Sequence, residues 1–284
     1  MLEWVNNRIS AMSNTQKRIA EYVMEHPQEM CYLTLKQLAD RAGVSEVTVL
    51  NFCHSLGLKS FTELRDRFRE AEIKSPDLCE PIKDLERRYQ ESQNSDDKRF
   101  LNFALVQHSN YLESIQQNSA EEFFTIGKRI LEAERVYVLG HDASKIPADY
   151  MVHRMRFMEI SASAIQIGER HSVNALLANI REKDLLCFIS LKDYHEPSRD
   201  IARFASSRGG ETVVITDGKD SPVGTVAEHT LLCTAAAPLL FNSMSTVMST
   251  IELLTAAVAV LLGDKLDEYV EEFLRVNRYL NGGS

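Results

Sequence analysis

The chain has 284 residues, with 44% apolar and 26% charged side chains, which is enough for two domains with separate cores. Its five cysteines, Cys31, Cys53, Cys79, Cys187 and Cys233, are widely spaced and form no Cys-x-x-Cys pair, which fits a reducing cytoplasm and disfavours a zinc site; no charged-then-apolar leader opens the chain, and its most apolar stretch, Leu253 to Leu262, is about half a membrane span, so neither secretion nor membrane insertion is expected. The net charge of −9 lies entirely behind residue 75, because residues 1–75 carry ten basic and ten acidic side chains; a neutral head can still bind DNA, since phosphates feel the local patch and more distant charge is screened.

Ser13-Asn14-Thr15-Gln16 reads as a capping box, followed by Ile19, Ala20, Val23 and Met24 at helical spacing until His26-Pro27. A second box, Thr34-Leu35-Lys36-Gln37, opens a short helix with Leu35, Leu38, Ala39 and Ala42 on one face, closed by Gly43. Ser45 caps a third helix that buries Val49, Phe52, Cys53 and Leu56 and ends at Gly57, and a third box, Ser60-Phe61-Thr62-Glu63, opens a fourth with Leu64 and Phe68 inward and Arg65, Arg67 and Arg69 outward. Two short helices joined by Ala42-Gly43-Val44-Ser45 have the proportions of a helix-turn-helix, whose second helix enters the major groove; a plain helical bundle with no ligand is the alternative. The outward face of that second helix carries Val47, Thr48, Asn51, His54 and Ser55, with Asn51 the best candidate to read a base edge and the capping Ser45 a further candidate for DNA contact. Lys36, Arg41 and Lys59 stand on adjoining segments as candidate phosphate contacts or ordinary solvated charges.

From Glu70 to Phe100 the chain is polar and punctuated by Pro76, Pro81 and the run Ser92 to Lys98, which reads as a linker with a short helical piece. Helical patterning resumes with Leu101, Leu105, Tyr111, Leu112 and Ile115, and again over 120–133. Short β-rich runs then alternate with helical stretches: 136–139, 162–167, 185–189, 212–216 and 230–233. That rhythm predicts a parallel sheet flanked by helices on both faces. The expected organisation is an all-α helix-turn-helix domain over 1–75, a linker and connecting helix over 76–119, and an α/β domain for oligomerisation and effector binding over 120–284. Ligands of such sheets collect beyond the carboxyl ends of the strands, which singles out Gly140-His141-Asp142-Ala143-Ser144 and Ser190-Leu191-Lys192-Asp193-Tyr194-His195. The apolar helix over 242–262, with Met244, Val247, Met248, Ile251, Leu254 and Val258, holds more apolar surface than one buried stripe requires; a shared subunit interface or burial within one domain absorbs it.

The stretch Leu38-Ala39-Asp40-Arg41-Ala42-Gly43-Val44-Ser45-Glu46-Val47-Thr48-Val49, running into Phe52-Cys53 and Leu56-Gly57, resembles the head motif of the RpiR family of bacterial regulators, which join a helix-turn-helix to a sugar isomerase (SIS) domain. The resemblance covers nearly the whole chain. It implies a homodimer or homotetramer on a palindromic double-stranded DNA operator, and a SIS domain that binds a carbohydrate derivative such as a sugar phosphate. Departures are as informative. Asn51 stands where the family usually has arginine before Phe-Cys, and His54 occupies another frequently basic position, which makes the DNA face less cationic. In the first SIS loop, usually Gly-x-Gly-x-Ser, Gly140 and Ser144 remain but Asp142 replaces the second glycine. In the phosphate loop, usually Ser-x-Ser-Gly-x-Thr, Ser190 remains while Lys192, Asp193 and His195 take the other places. These changes remove backbone approach and hydroxyl donors, while Lys192 and His195 supply positive charge for another anion such as a carboxylate. His171, thirteen residues before Asp184, matches a ligand-facing histidine of many family members. The candidate ligand set is therefore Gly140, Ser144, His171, Ser190, Lys192 and His195. No metal, cofactor or catalytic residue is expected. A purely dimerising SIS domain and a sugar-phosphate isomerase or deaminase using Glu252, Glu196, His171 or His195 are the alternatives.

Overall fold

The computed structural model describes residues 5, 8, 12–30, 33–73, 80–239 and 242–281; Cys31, Pro76 and Cys79 lie outside these, as does the side chain of Arg69. The chain forms two compact units, Met1–Pro81 and Ile82–Ser284.

The first unit is helical. α1 (Asn14–Glu25) begins with the reciprocal Ser13/Gln16 box and buries Ile19, Ala20 and Val23. It is followed by a single turn, α2 (Pro27–Met30), that the sequence reading ran into the break at His26-Pro27. Proline ends α1 but is well suited to open the next turn, since its missing N–H would be unpaired there anyway. α3 (Leu35–Ala42) has the reciprocal Thr34/Gln37 box, and Gly43 ends it in the left-handed conformation, φ 63°. A side chain at Gly43 would be strained by that φ and would also meet the Arg18 guanidinium. Ser45 then caps α4 (Glu46–Ser55), whose buried face is Val49, Phe52 and Cys53. α5 (Phe61–Ile73) is half-boxed: the Glu63 N–H donates to Ser60 Oγ at 3.1 Å, but the Glu63 carboxylate accepts from the Lys59 N–H at 2.7 Å. Ile19, Val23, Met30, Leu38, Val49, Phe52, Leu64 and Phe68 meet in one core.

In the second unit the stretch read as a linker is largely helical, α6 (Glu80–Glu91) and α7 (Ser95–Gln117). α7 starts inside the polar run because Asn94 caps it, accepting from the N–H groups of Asp96 and Asp97, and those two acids meet the positive end of the helix. α8 (Ala120–Glu132) leads into a doubly wound sequence: β1 (Arg135–Gly140), a 3-10 turn (Asp142–Ser144), α9 (Lys145–Phe157), β2 (Ala162–Gln166), α10 (Arg170–Asn179), β3 (Asp184–Ser190), α11 (Pro197–Ser207), β4 (Glu211–Thr216), β5 (His229–Leu232), α12 (Met244–Leu262) and α13 (Asp264–Leu280). All five strands run parallel in the order β2-β1-β3-β4-β5. Alternate residues feed two cores. Val136, Val138, Leu185, Cys187 and Ile189 join one with Met151, Met155, Ile251 and Leu254; Leu139, Leu186 and Phe188 join the other with Val173, Leu176 and Ala205. Both faces are covered, as a parallel sheet requires. α12 is long and apolar enough to cross a membrane, but Val247, Ile251, Leu254 and Val258 are fully buried in the domain core. Much of its apolar surplus is absorbed within the domain.

β5 is an edge strand, and α7 covers it with polar side chains. The Asn118 amide, just past the end of α7, donates to Leu232 O and accepts from Leu232 N–H, both at 2.7 Å. Ser114 Oγ accepts from the Thr234 N–H at 2.9 Å and the Asn110 amide donates to Ala236 O at 2.6 Å. Four residues of helix rise about 6 Å and two residues of extended chain about 6.6 Å, so positions 110, 114 and 118 stay in step with 236, 234 and 232. Replacing Asn118 by Ala leaves a half-buried donor and a half-buried acceptor of Leu232 without their partner. The expected loss is about 2 to 4 kcal/mol, read from urea denaturation of the full chain; an unchanged midpoint would refute the pairing.

Candidate functional site

On the head, Thr48, Asn51 and Ser55 lie along one face of α4, with His54 beside them. Their hydroxyls are partly committed. Ser45 Oγ accepts from the Thr48 N–H and stands 2.8 Å from Thr48 Oγ1, and Ser55 Oγ donates to Phe52 O at 2.7 Å. The side chains of Asn51 and His54 are exposed, as are those of Lys36 and Lys59. Asn51 is fixed through its backbone carbonyl, which accepts from Gln16 Nε2. Val47 on the same helix is 64% exposed and offers an apolar contact of the kind that meets a thymine methyl. Arg41 is placed differently from the other cations: it ion-pairs with Glu29 and donates to Tyr22 Oη at 3.0 Å, which turns it back onto α1 and α2. Two cations that sequence spacing did not single out reach the motif through tertiary packing. Arg8 donates to Ser55 O at the end of α4, and the Arg18 guanidinium lies against Gly43. Nothing local in the sequence marks them, because both lie outside the two helices of the motif.

In the α/β unit, β1 connects outward to β2 while β3 opens the opposite half of the sheet, so the loops following β1 and β3 diverge at their shared carboxyl ends. That divergence leaves a crevice at the switch point, the usual ligand position in an open parallel sheet. Here it is a cavity of about 360 Å³ lined by His141, Asp142, Ser144, Ser190, Lys192, Asp193, His195, Ser198 and Asn242 among others. Four of the candidate ligand residues, Ser144, Ser190, Lys192 and His195, are thus brought together. Gly140 shapes the cavity: a Cβ there would stand 2.3 Å from Ser144 O, so only glycine permits the tight 3-10 return. His171 is not among the lining residues; it is exposed on α10, beyond β2.

The loop after β3 is held from behind. Asp217, following β4, accepts from the Lys192 N–H at 3.1 Å and from Tyr194 Oη at 2.8 Å, and Asn242 Nδ2 donates to Lys192 O at 2.6 Å. Burial and the Asp217 carboxylate push the Tyr194 hydroxyl well above its ordinary range, so it stays protonated as a donor. His141 and His195 stack with centroids 4.1 Å apart and planes 17° from parallel, and His195 Nδ1 lies 3.1 Å from the buried Ser198 Oγ. Desolvation, then the proximity of His141, lowers the His195 pKa. His141 was within reach of the sequence as a loop residue, but only the fold reveals its stack on a residue 54 positions away. Asp142 and Asp193, the two aspartates at glycine places of the SIS loops, both have left-handed backbones, φ 47° and 69°. The loops keep the glycine conformation and spend about 1 kcal/mol or more at each position to do so with a side chain. Among the described residues no group of three His, Cys, Asp or Glu is placed to hold a metal ion. The described thiols are buried and poor nucleophiles, burial raising Cys53 to about 11 and Cys187 to about 12.

Comparison with known proteins agrees with both halves. Residues 1–73 match the helix-turn-helix domain of the rpiR family, and residues 129–260 match the SIS domain. The HTH-type transcriptional regulator YfhH of Escherichia coli is 24% identical over 230 residues, covering 80% of this chain and 79% of that one. The sugar isomerase domain of an RpiR transcription factor from Sphaerobacter thermophilus superposes with a TM-score of 0.58 at 23% identity, covering 62% of this chain and 97% of that one. The NanR protein of Vibrio vulnificus, solved with ManNAc-6P, superposes with a TM-score of 0.55 at 18% identity over 97% of each chain. The chain belongs to the RpiR family of transcriptional regulators, an rpiR-type helix-turn-helix followed by a SIS domain.

Proposed function

We propose that the protein is a cytoplasmic regulator that binds operator DNA through α4 and that a small metabolite bearing an anionic group modulates this binding from the SIS cavity. The observation that carries the proposal is the convergence of Ser144, Ser190, Lys192 and His195 on one cavity at the switch point of the sheet. On the DNA side Asn51 serves as the base reader, able to make a bidentate contact with adenine, with Thr48, Ser45, Ser55 and His54 beside it. Lys36 and Lys59 take phosphates, joined by Arg8 and Arg18, whereas Arg41 contributes mainly by bracing α3 against α1 and α2.

Of the four proton carriers that an isomerase reading of the sequence names, His195 lines the cavity, while Glu252 pairs with Arg154 at 3.2 Å, Glu196 pairs with Arg199 at 3.8 Å, and His171 is elsewhere. A second reading, in which the SIS domain only dimerises, draws on the two aspartates at the cavity rim. Self-association is part of the proposal in either case. α13 buries none of its residues and exposes Phe273, Val276, Tyr279 and Leu280, a surface suited to a homodimer or homotetramer that presents paired heads to a palindromic operator.

Binding of the full chain to a genomic fragment library at two salt concentrations tests the DNA role. Enrichment of specific fragments that weakens with salt is expected, and Asn51→Ala should cost about 1 to 3 kcal/mol on the enriched sequence; absence of selective enrichment would overturn the proposal. The effector role predicts a pH dependence. An anion seated against His195 favours the imidazolium, so the bound-state pKa rises above the lowered value of the free protein. Binding then takes up a proton, and affinity increases as pH falls through the interval between those two values, levelling off below it. Titration calorimetry across that range should show the slope, and His195→Gln should flatten it.

A further inference from the structure

We infer that the cavity at the switch point selects a zwitterionic metabolite, one carrying an ammonium beside its anionic group, in preference to a phosphate dianion. The inference rests on the effector reading of that cavity and names the chemistry it accepts. Two carboxylates and one ammonium line it: Asp142, Asp193 and Lys192. No hydrogen bond or ion pair engages the side chain of any of the three among the described residues. The nearby charges are engaged elsewhere: Lys145 holds Asp149 at 2.5 Å, Arg199 faces Glu196, and Asp217 is occupied by the Lys192 N–H and the Tyr194 hydroxyl. The remaining titratable lining groups, His141 and His195, are stacked so closely that a charge on one opposes a charge on the other.

A phosphate dianion entering this cavity would therefore meet two carboxylates and one ammonium, with no glycine at Asp142 or Asp193 to bring backbone N–H groups close. An amine, by contrast, finds two unpartnered carboxylates, while its companion carboxylate finds Lys192 and the hydroxyls of Ser144 and Ser190. The ends of the ligand are thus matched by charge of opposite sign within one cavity, the carboxylates of Asp142 on the loop after β1 and Asp193 on the loop after β3, and the ammonium of Lys192 next to Asp193. Both aspartates sit on left-handed backbone. Glycine would satisfy that geometry at lower cost and leave the cavity less acidic, so Asp142→Gly and Asp193→Gly remove the carboxylates without disturbing the loops.

The test uses the full chain, its thermal shift and titration calorimetry, with free α-amino acids and ω-amino acids as zwitterionic probes and glucose 6-phosphate as the dianion. The wild-type protein should respond to at least one zwitterion and bind glucose 6-phosphate at least tenfold more weakly. The Asp142→Gly/Asp193→Gly double variant should lose at least tenfold in affinity for that zwitterion and gain affinity for glucose 6-phosphate. Wild-type preference for glucose 6-phosphate, or a double variant that retains its zwitterion affinity, overturns the ligand class and leaves the cavity as an effector site. The same holds if only the double variant responds, and only to glucose 6-phosphate. Silence of both proteins toward every probe overturns the effector reading together with the inference.

Discussion

The edge of a parallel sheet has to be closed, and here Asn110, Ser114 and Asn118 close it. A helix cannot extend the ladder with its own backbone, whose donors and acceptors are already used. A row of short amide and hydroxyl groups at every fourth position does the work of a further strand, satisfying 232, 234 and 236 in turn. The consequences run toward the cavity. Once Thr234 is fixed, its carbonyl accepts from Thr246 at the start of α12, and the Ser243 N–H reaches Ala235 O. Asn242 is thereby set where its amide meets Lys192 O, tying the loop after β3 to the chain that follows the β5 edge. The position of Lys192 thus depends on a helix about 80 residues earlier in the chain.

Legibility in the sequence followed the range of the interaction. Ser13/Gln16 and Thr34/Gln37 are recognisable because a capping box is complete within four residues, and the five strands are recognisable because burial on both faces demands short unbroken apolar runs. The beginning of α7 was hidden, since its first turns are Ser95, Asp96, Asp97 and Lys98, and a polar helix face has the same composition as a linker. Asn110, Ser114 and Asn118 look like ordinary surface residues until the partner strand, more than 100 residues on, is beside them.

The same rule divides the site residues. Loops that follow strand ends could be located from the rhythm of the chain, and Ser144, Ser190, Lys192 and His195 do converge. Side-chain partnerships between them could not. The stack of His141 on His195, the capture of Arg41 by Glu29 and the approach of Arg8 and Arg18 to the helix-turn-helix motif all join residues distant in the chain. His171, singled out by the family resemblance, stands exposed on α10 and is not among the residues that line this cavity.

Asp142 and Asp193 keep a backbone shape that glycine adopts most readily, and this separates the architecture of the cavity from its charge. Each aspartate codon lies a single base from a glycine codon. A lineage can therefore exchange one for the other at the cavity, altering its charge, without passing through a form in which the loop has to be rebuilt. The charge of the cavity is free to drift faster than the scaffold that carries it.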